Sequence, residues 1–201
     1  MRVLITGASG FLGSHLGRTL RARGDEVVEQ GPIDVVHHLA YDTRAEDPRF
    51  NVELAVRLVT AALDAGARHV VFASSGFVYG DAEVLPIPET HPTRPRTPNG
   101  WAKLWSEEAL AELCARRGAA LTILRYANLY GGGERDRSVI ARFITALRDG
   151  RPAQIAGDGS QTRDFIHVDD VAAANLAAMR LEGTYNVGTG VETSILEAWE
   201  T

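Results

Sequence analysis

The stretch VLITGASGFLGSHL, residues 3–16, decides the fold. A short aliphatic run, VLIT, reads as a strand; Gly7, Gly10 and Gly13 follow at intervals of three; and FLGSHL opens an amphipathic helical pattern that continues to Arg23. Glycines at these points permit a tight turn and close approach of the backbone to a ligand. The free amides and positive end of the following helix favour a pyrophosphate. A three-glycine pattern alone is weak evidence, because tight turns between strand and helix also carry it. Here the strand before, the helix after and the position at the start of the chain make the context specific.

Outward from this turn, aliphatic runs alternate with helical patterns, the signature of strand-helix-strand units and a parallel sheet. Strands are expected at 3–5, 26–29, 34–39, 69–73, 121–126, 153–156, 165–168 and 185–187, and helices at 11–23, 48–65, 101–117, 138–148 and 169–179. Gly24, Gly66, Gly118 and Gly150 each follow a helix and suit its left-handed end. The pattern predicts an α/β fold with a doubly wound parallel sheet. Its first unit spans residues 1–130, and a smaller lobe interleaved with the same sheet spans 131–201. The boundary falls at 130–137, where Gly131, Gly132 and Gly133 cluster.

Composition excludes several classes of function. The 201 residues carry 26 acidic against 21 basic side chains, a net charge of −5, and the arginines form no stripe, which argues against a nucleic-acid partner. A single cysteine, Cys114, excludes an internal disulfide framework, and no apolar run is long enough to cross a membrane. Met1 and Arg2 lead directly into the first strand and leave no room for a signal peptide, so a reducing cytoplasm is expected.

One junction strains this topology. Only Gln30, Gly31, Pro32 and Ile33 separate the second and third runs. Parallel neighbours are ordinarily joined by a crossover of about a dozen or more residues. Four linker residues reach roughly 15 to 18 Å when extended. Crossing two strand spacings and returning along a strand of roughly 17 Å uses all of it. The sequence therefore predicts either that residues are absent between Gln30 and Gly31, or that 26–30 lies away from the usual second-strand place.

Six segments together, TGASGFLGSH, DVVHHLA, VVFASSGFVYG, LTILRYANLYG, GDGSQTRDFIHVDDVA and YNVGTGVETSI, resemble the NAD-dependent epimerase/dehydratase family, extended short-chain dehydrogenases of the nucleotide-sugar type. The resemblance implies a Rossmann-type sheet with an incomplete C-terminal substrate lobe, NAD as the hydride carrier, a nucleotide-sugar substrate and a homodimer. It places Gly7, Gly10, Phe11, Leu12, Gly13, Leu39, Ala40, Asn51 and Tyr126 at the cofactor. It places Ser75 at the reacting hydroxyl, Asn128 near the sugar diphosphate and Arg163 at a phosphate. The family usually ends its second strand on an acid that holds the adenosine ribose; Glu29 is the nearest here. No basic cluster replaces that acid, so NAD is expected rather than NADP.

The sequence departs from the family at one position. The family motif Tyr-x-x-x-Lys reads Asn99-Gly-Trp-Ala-Lys103. The lysine keeps its implied role at the nicotinamide ribose, but asparagine cannot exchange a proton near neutral pH. Tyr41 is a conceivable substitute base, and Tyr79 reads as structural or substrate-contacting. His37 and His38, adjacent on a strand, face opposite sides and do not form a metal pair. Asp169 and Asp170 read as helix-start residues rather than acids of the reaction. Two readings follow: an epimerase or dehydratase working by transient hydride transfer, or an inactive homologue that binds a nucleotide or a partner.

Overall fold

A computed structural model describes residues 1–134 and 138–201. In chain order the elements are β1 (Arg2–Thr6), α1 (Phe11–Ala22), β2 (Glu26–Val28), β3 (Val35–His38), α2 (Pro48–Asp64), β4 (His69–Ser75), α3 (Pro98–Arg117), β5 (Ala120–Tyr126), β6 (Asn128–Tyr130), α4 (Val139–Arg148), β7 (Thr162–Arg163), β8 (Phe165–His167), α5 (Val168–Ala178), β9 (Gly183–Val187), β10 (Thr193–Ser194) and α6 (Ile195–Glu200). Six strands form one parallel sheet in the order β2-β1-β3-β4-β5-β9. The chain leaves β1 toward one edge and returns to its other side with β3, so strand order reverses there. A crevice at the C-terminal ends of the strands is where such sheets bind ligands.

Both faces of the sheet are covered, which is why its central strands read as unbroken aliphatic runs. In β4, Val71 and Ala73 pack with Val3, Leu16, Leu20 and Val171 toward α1 and α5. Val70 and Phe72 point the other way, onto Val59, Ala62, Leu110 and Cys114 of α2 and α3. Side chains capping the first turns of α2 and α3 come from Asp47 and Thr97, each followed by a proline. Beyond β5 the chain builds two small two-stranded sheets, β6 with β8 and β7 with β10, and then hands α5 and β9 back to the main sheet. The last three residues of the expected boundary at 130–137 lie outside the described residues.

Two expectations need correction. The run at 153–156 is not a strand, because no other strand lies against it among the described residues. The second run does take the second-strand place, with Arg2, Val3 and Leu4 level with Glu26, Val27 and Val28. The reach argument assumed a full-length strand, but β2 stops level with Leu4 while β3 begins level with Val3. The chain therefore backs up by about one residue, and the stretch from Val28 to Val35, roughly 23 Å when extended, spans two strand spacings of about 4.8 Å with length to spare. Ile33 anchors the link, its N–H donating to the Ala65 carbonyl at 3.1 Å and its side chain buried beneath α2.

The two histidines of β3 point to opposite faces and both are buried. His37 Nδ1 lies 3.2 Å from Asn175 Oδ1, and its Nε2 has no partner among the described residues. His38 Nδ1 lies 2.7 Å from Thr6 Oγ1, and its ring stacks on Phe72. Burial pushes His37 down to about 4 and His38 down to about 3, with the Lys103 charge adding to the second. In the unfolded chain both titrate near about 6.5, so below that pH the unfolded state binds protons that the native state refuses. The stability held above pH 6.5 is lost as pH falls through the window toward 4, by about 1.4 kcal/mol per unit per histidine. Urea midpoints measured from pH 7 to 4 are expected to fall steadily; a flat series would contradict the buried neutral pair.

Candidate functional site

The turn between β1 and α1 is built for close backbone approach. Gly7 has φ +80°, and a Cβ there would lie 2.9 Å from the Ala40 nitrogen. A Cβ on Gly13 would lie 2.2 Å from the Gly7 carbonyl oxygen. Gly10 starts α1 and donates its N–H to the Gly7 carbonyl at 2.9 Å, with no side chain capping the helix. The first-turn amides, those of Phe11, Leu12 and Gly13, are left for a ligand with negative charge, and the arrangement fits the pyrophosphate of a dinucleotide. Leu39 and Ala40 leave the end of β3 against this turn, with Leu39 N–H donating to the Thr6 carbonyl at 3.1 Å.

A cavity of about 590 Å³ opens beside the turn. Leu12, Leu39, Tyr41, Ser75, Asn99 and Lys103 line it, with Tyr126 at its back. Ser75 ends β4 and accepts the Phe77 N–H at 3.3 Å, which fixes its hydroxyl at the cleft. Asn99 occupies the first turn of α3, and its amide has no partner among the described residues. One turn on, Lys103 Nζ donates to the Ala73 carbonyl at 2.6 Å, with the ring centroids of Tyr41 and Phe72 at 4.7 and 5.2 Å. Burial pulls its ammonium down to about 8, against the opposing pull of Glu107. Burial pushes the Tyr41 phenol up. The buried Tyr126 phenol is pushed up further, its hydroxyl held 2.9 Å from Asn175 Nδ2.

A second cavity of about 780 Å³ shares Ser75, Tyr126 and Ala127 with the first, so the two adjoin at these residues. Asn128, on β6, and Arg163, on β7, line this second part. Among the described residues the exposed Arg163 guanidinium hydrogen-bonds only its neighbour, Nη1 donating to the Thr162 carbonyl at 2.7 Å. Asp164, in the same lining, accepts the N–H groups of Thr189 at 3.0 Å and Gly190 at 2.8 Å. Ser75, Asn128 and Arg163, far apart in sequence, thus face one space.

Asn51, expected on the cofactor side, sits behind the cavity lining. It is buried and off the cavity wall, with both ends of its amide used on Asp42: Oδ1 accepts the Asp42 N–H at 2.8 Å and Nδ2 donates to the Asp42 carbonyl at 3.0 Å. Its work is to pin the loop that carries Tyr41. Sequence reading also missed a buried polar chain beneath the cleft. Arg125 grips Glu107 in a fork, Nε to Oε1 at 3.0 Å and Nη2 to Oε2 at 2.6 Å, and its Nη1 donates to the Tyr79 hydroxyl at 3.0 Å. Ser74 donates to the same carboxylate, and the Tyr79 hydroxyl donates to Asn186 Oδ1 at 2.7 Å. The available signal was spacing: Glu107 follows Lys103 by four and shares its helix face. No cluster of metal-binding side chains and no helix long and apolar enough to cross a membrane occurs among the described residues.

The chain is similar to known proteins along nearly its whole length. A putative UDP-glucose 4-epimerase of Methanocaldococcus jannaschii is 31% identical over 98% of this chain and 80% of its own length. A UDP-glucose 4-epimerase of Mycolicibacterium smegmatis is 34% identical over the same shares. The structure of the Thermus thermophilus UDP-glucose 4-epimerase complex with NAD superposes with a TM-score of 0.88 at 31% identity, covering 100% of this chain and 81% of that one. The first alignment runs over 244 residues against the 201 of this chain, so that relative carries residues inside the aligned span with no counterpart here. The family model for the NAD dependent epimerase/dehydratase family matches residues 25–188, and the chain belongs to that family.

Proposed function

We propose that the chain binds NAD along the glycine turn and the first cavity, and a nucleotide sugar in the second, and that it interconverts or dehydrates the sugar by transient hydride transfer. The observation that carries this reading is the junction of the two cavities at Ser75 and Tyr126, which lets a cofactor and a sugar meet at one hydroxyl-bearing residue. Gly7, Gly10, Phe11, Leu12 and Gly13 hold the pyrophosphate, and Leu39 and Ala40 flank it. Ser75 orients the reacting hydroxyl. Asn128 holds the sugar diphosphate, and Arg163 grips phosphate oxygens with its planar fork. NAD, when bound, supplies the two-electron acceptor that keeps the hydride. A homodimer joined through Trp101 and Trp105, exposed on α3 with ring centroids 5.4 Å apart, belongs to the same reading.

A second reading, a homologue that binds nucleotide or partner without turnover, is favoured by Asn99, whose amide stands in the cavity where the family has a phenol and cannot exchange a proton. Calorimetric titration with NAD, followed by UDP-hexose turnover on the loaded protein, separates the two. Micromolar binding with turnover is expected; binding without turnover leaves the second reading, and no binding removes the first. Sedimentation at the mass of one chain would remove the dimer.

A further inference from the structure

We propose that Lys103 is itself the proton acceptor for the sugar hydroxyl, in place of the phenol that Asn99 does not supply. The inference rests on the epimerase/dehydratase reading and names the base of the same site.

Lys103 is the only lysine in the chain; all other cationic positions among the 21 Lys and Arg residues are arginines. Arginine is protonated at every accessible pH, whereas a buried lysine can give up its proton and serve as a base. The one lysine lies on the wall of the cavity that lacks a phenol from α3. Of the residues lining that cavity only Tyr41, Lys103 and Tyr126 titrate. Tyr126 is tied to Asn175 and held protonated by burial. Tyr41 turns the face of its ring, not an edge hydroxyl, to the amine, and burial also holds it protonated.

The surroundings of Nζ suit an amine better than an ammonium. An ammonium has three donors, and the Ala73 carbonyl is the one hydrogen-bond acceptor within reach among the described residues. The rings of Tyr41 and Phe72 meet the remaining positive charge only partly. A neutral amine satisfies Ala73 with one N–H and keeps a lone pair for the cavity. Burial brings the change of state to about pH 8, within the range in which a lysine works as a general base. The groups that face it are Glu107 on its own helix, His38 on β3, Tyr41 on the loop after β3 and Tyr126 on β5; His38 is neutral throughout this range, and both phenols stay protonated.

The step balances. The hydroxyl proton passes to the Nζ lone pair and gives an ammonium, the C–H electron pair leaves with its hydrogen as hydride to the oxidised dinucleotide, and the carbon becomes a carbonyl. Return of hydride and of the ammonium proton restores an alcohol.

The single lysine makes the test direct. Protein grown on [ε-13C]lysine gives one side-chain signal, and its titration in the free protein is expected near pH 8 rather than near about 10.4. Because this midpoint is read without cofactor or sugar, it stands or falls independently of the function above. Turnover of the NAD-loaded protein is expected to rise through pH 8 and level off. Lys103→Arg keeps the positive charge but cannot accept a proton, and is expected to lower kcat by roughly 100- to 10,000-fold with NAD affinity within tenfold. Tyr41→Phe keeps the ring and leaves both midpoints in place. A lysine midpoint above 10, Lys103→Arg turnover within fivefold of the unaltered protein, or loss of the pH dependence in Tyr41→Phe would each overturn the proposal.

Discussion

Gly13→Ala is expected to weaken NAD binding by at least about 100-fold, beyond the reach of micromolar titration. The added Cβ falls 2.2 Å from the Gly7 carbonyl oxygen and 2.9 Å from Ala8 Cα, and both are backbone atoms that no rotamer change can move aside. Either the turn opens, and the amides of the first turn of α1 lose their aim, or α1 shifts on the sheet. Overpacking of this kind costs about 1–3 kcal/mol of stability as well. Gly17→Ala, one turn along the same helix, is the control. Its Cβ meets only the end of the Arg21 side chain at 3.2 Å and Ile5 Cδ1 at 3.7 Å. Alanine is the better helix former by about 1 kcal/mol, so this variant is expected to be neutral or stabilising. Thermal unfolding and calorimetry on the pair check both statements; equal NAD affinity in the two variants would refute the steric account of the turn.

Glu107→Ala is expected to be the most destabilising single change beneath the cleft. Glu107 and Arg125 are 4% and 8% exposed, so removing the carboxylate leaves a guanidinium buried without its counter-charge. Breaking a buried pair from one side costs about 3–5 kcal/mol. In a domain of this size that corresponds to a fall in Tm of roughly 6 to 20 °C. It also frees the hydroxyl of Ser74, the neighbour of Ser75 at the end of β4. Glu107→Leu combined with Arg125→Met is expected to recover much of the loss, because an apolar pair replaces two desolvated charges. A drop below about 1 kcal/mol in the single variant would mean that water reaches the guanidinium.

The fold was legible where local pattern and burial agree. The VVFA run of β4 points alternate residues to two buried faces, and α2 forms where expected, while α3 begins earlier than expected, at Pro98 behind its Thr97 cap. The glycine turn was legible because no other residue fits Gly7 and Gly13. The extent of β2 was not, since three residues or the four expected is decided by where neighbouring strands end. Nor was 153–156, which is as aliphatic as some true strands and lacks only a partner. At the site, the residues read from sequence supplied both halves of the cleft. The bonds by which Asn51 pins the Asp42 loop could not be seen in a pattern. The Glu107–Arg125 pair stayed hidden because its members meet only after β5 packs beside α3.

The brevity of β2 has a consequence at the rim of the sheet. A parallel sheet with an open outer strand offers a template on which another chain can grow, and proteins blunt such edges by keeping them short and charged. Here the exposed rim consists of Glu26, Val27 and Val28, beginning on a carboxylate and ending in a bend before Pro32. An incoming strand would find only a few rungs before the backbone turns away beneath α2. The same short strand that lets the chain reach β3 in so few residues thus leaves the outer flank of the sheet a poor seed for strand-by-strand aggregation.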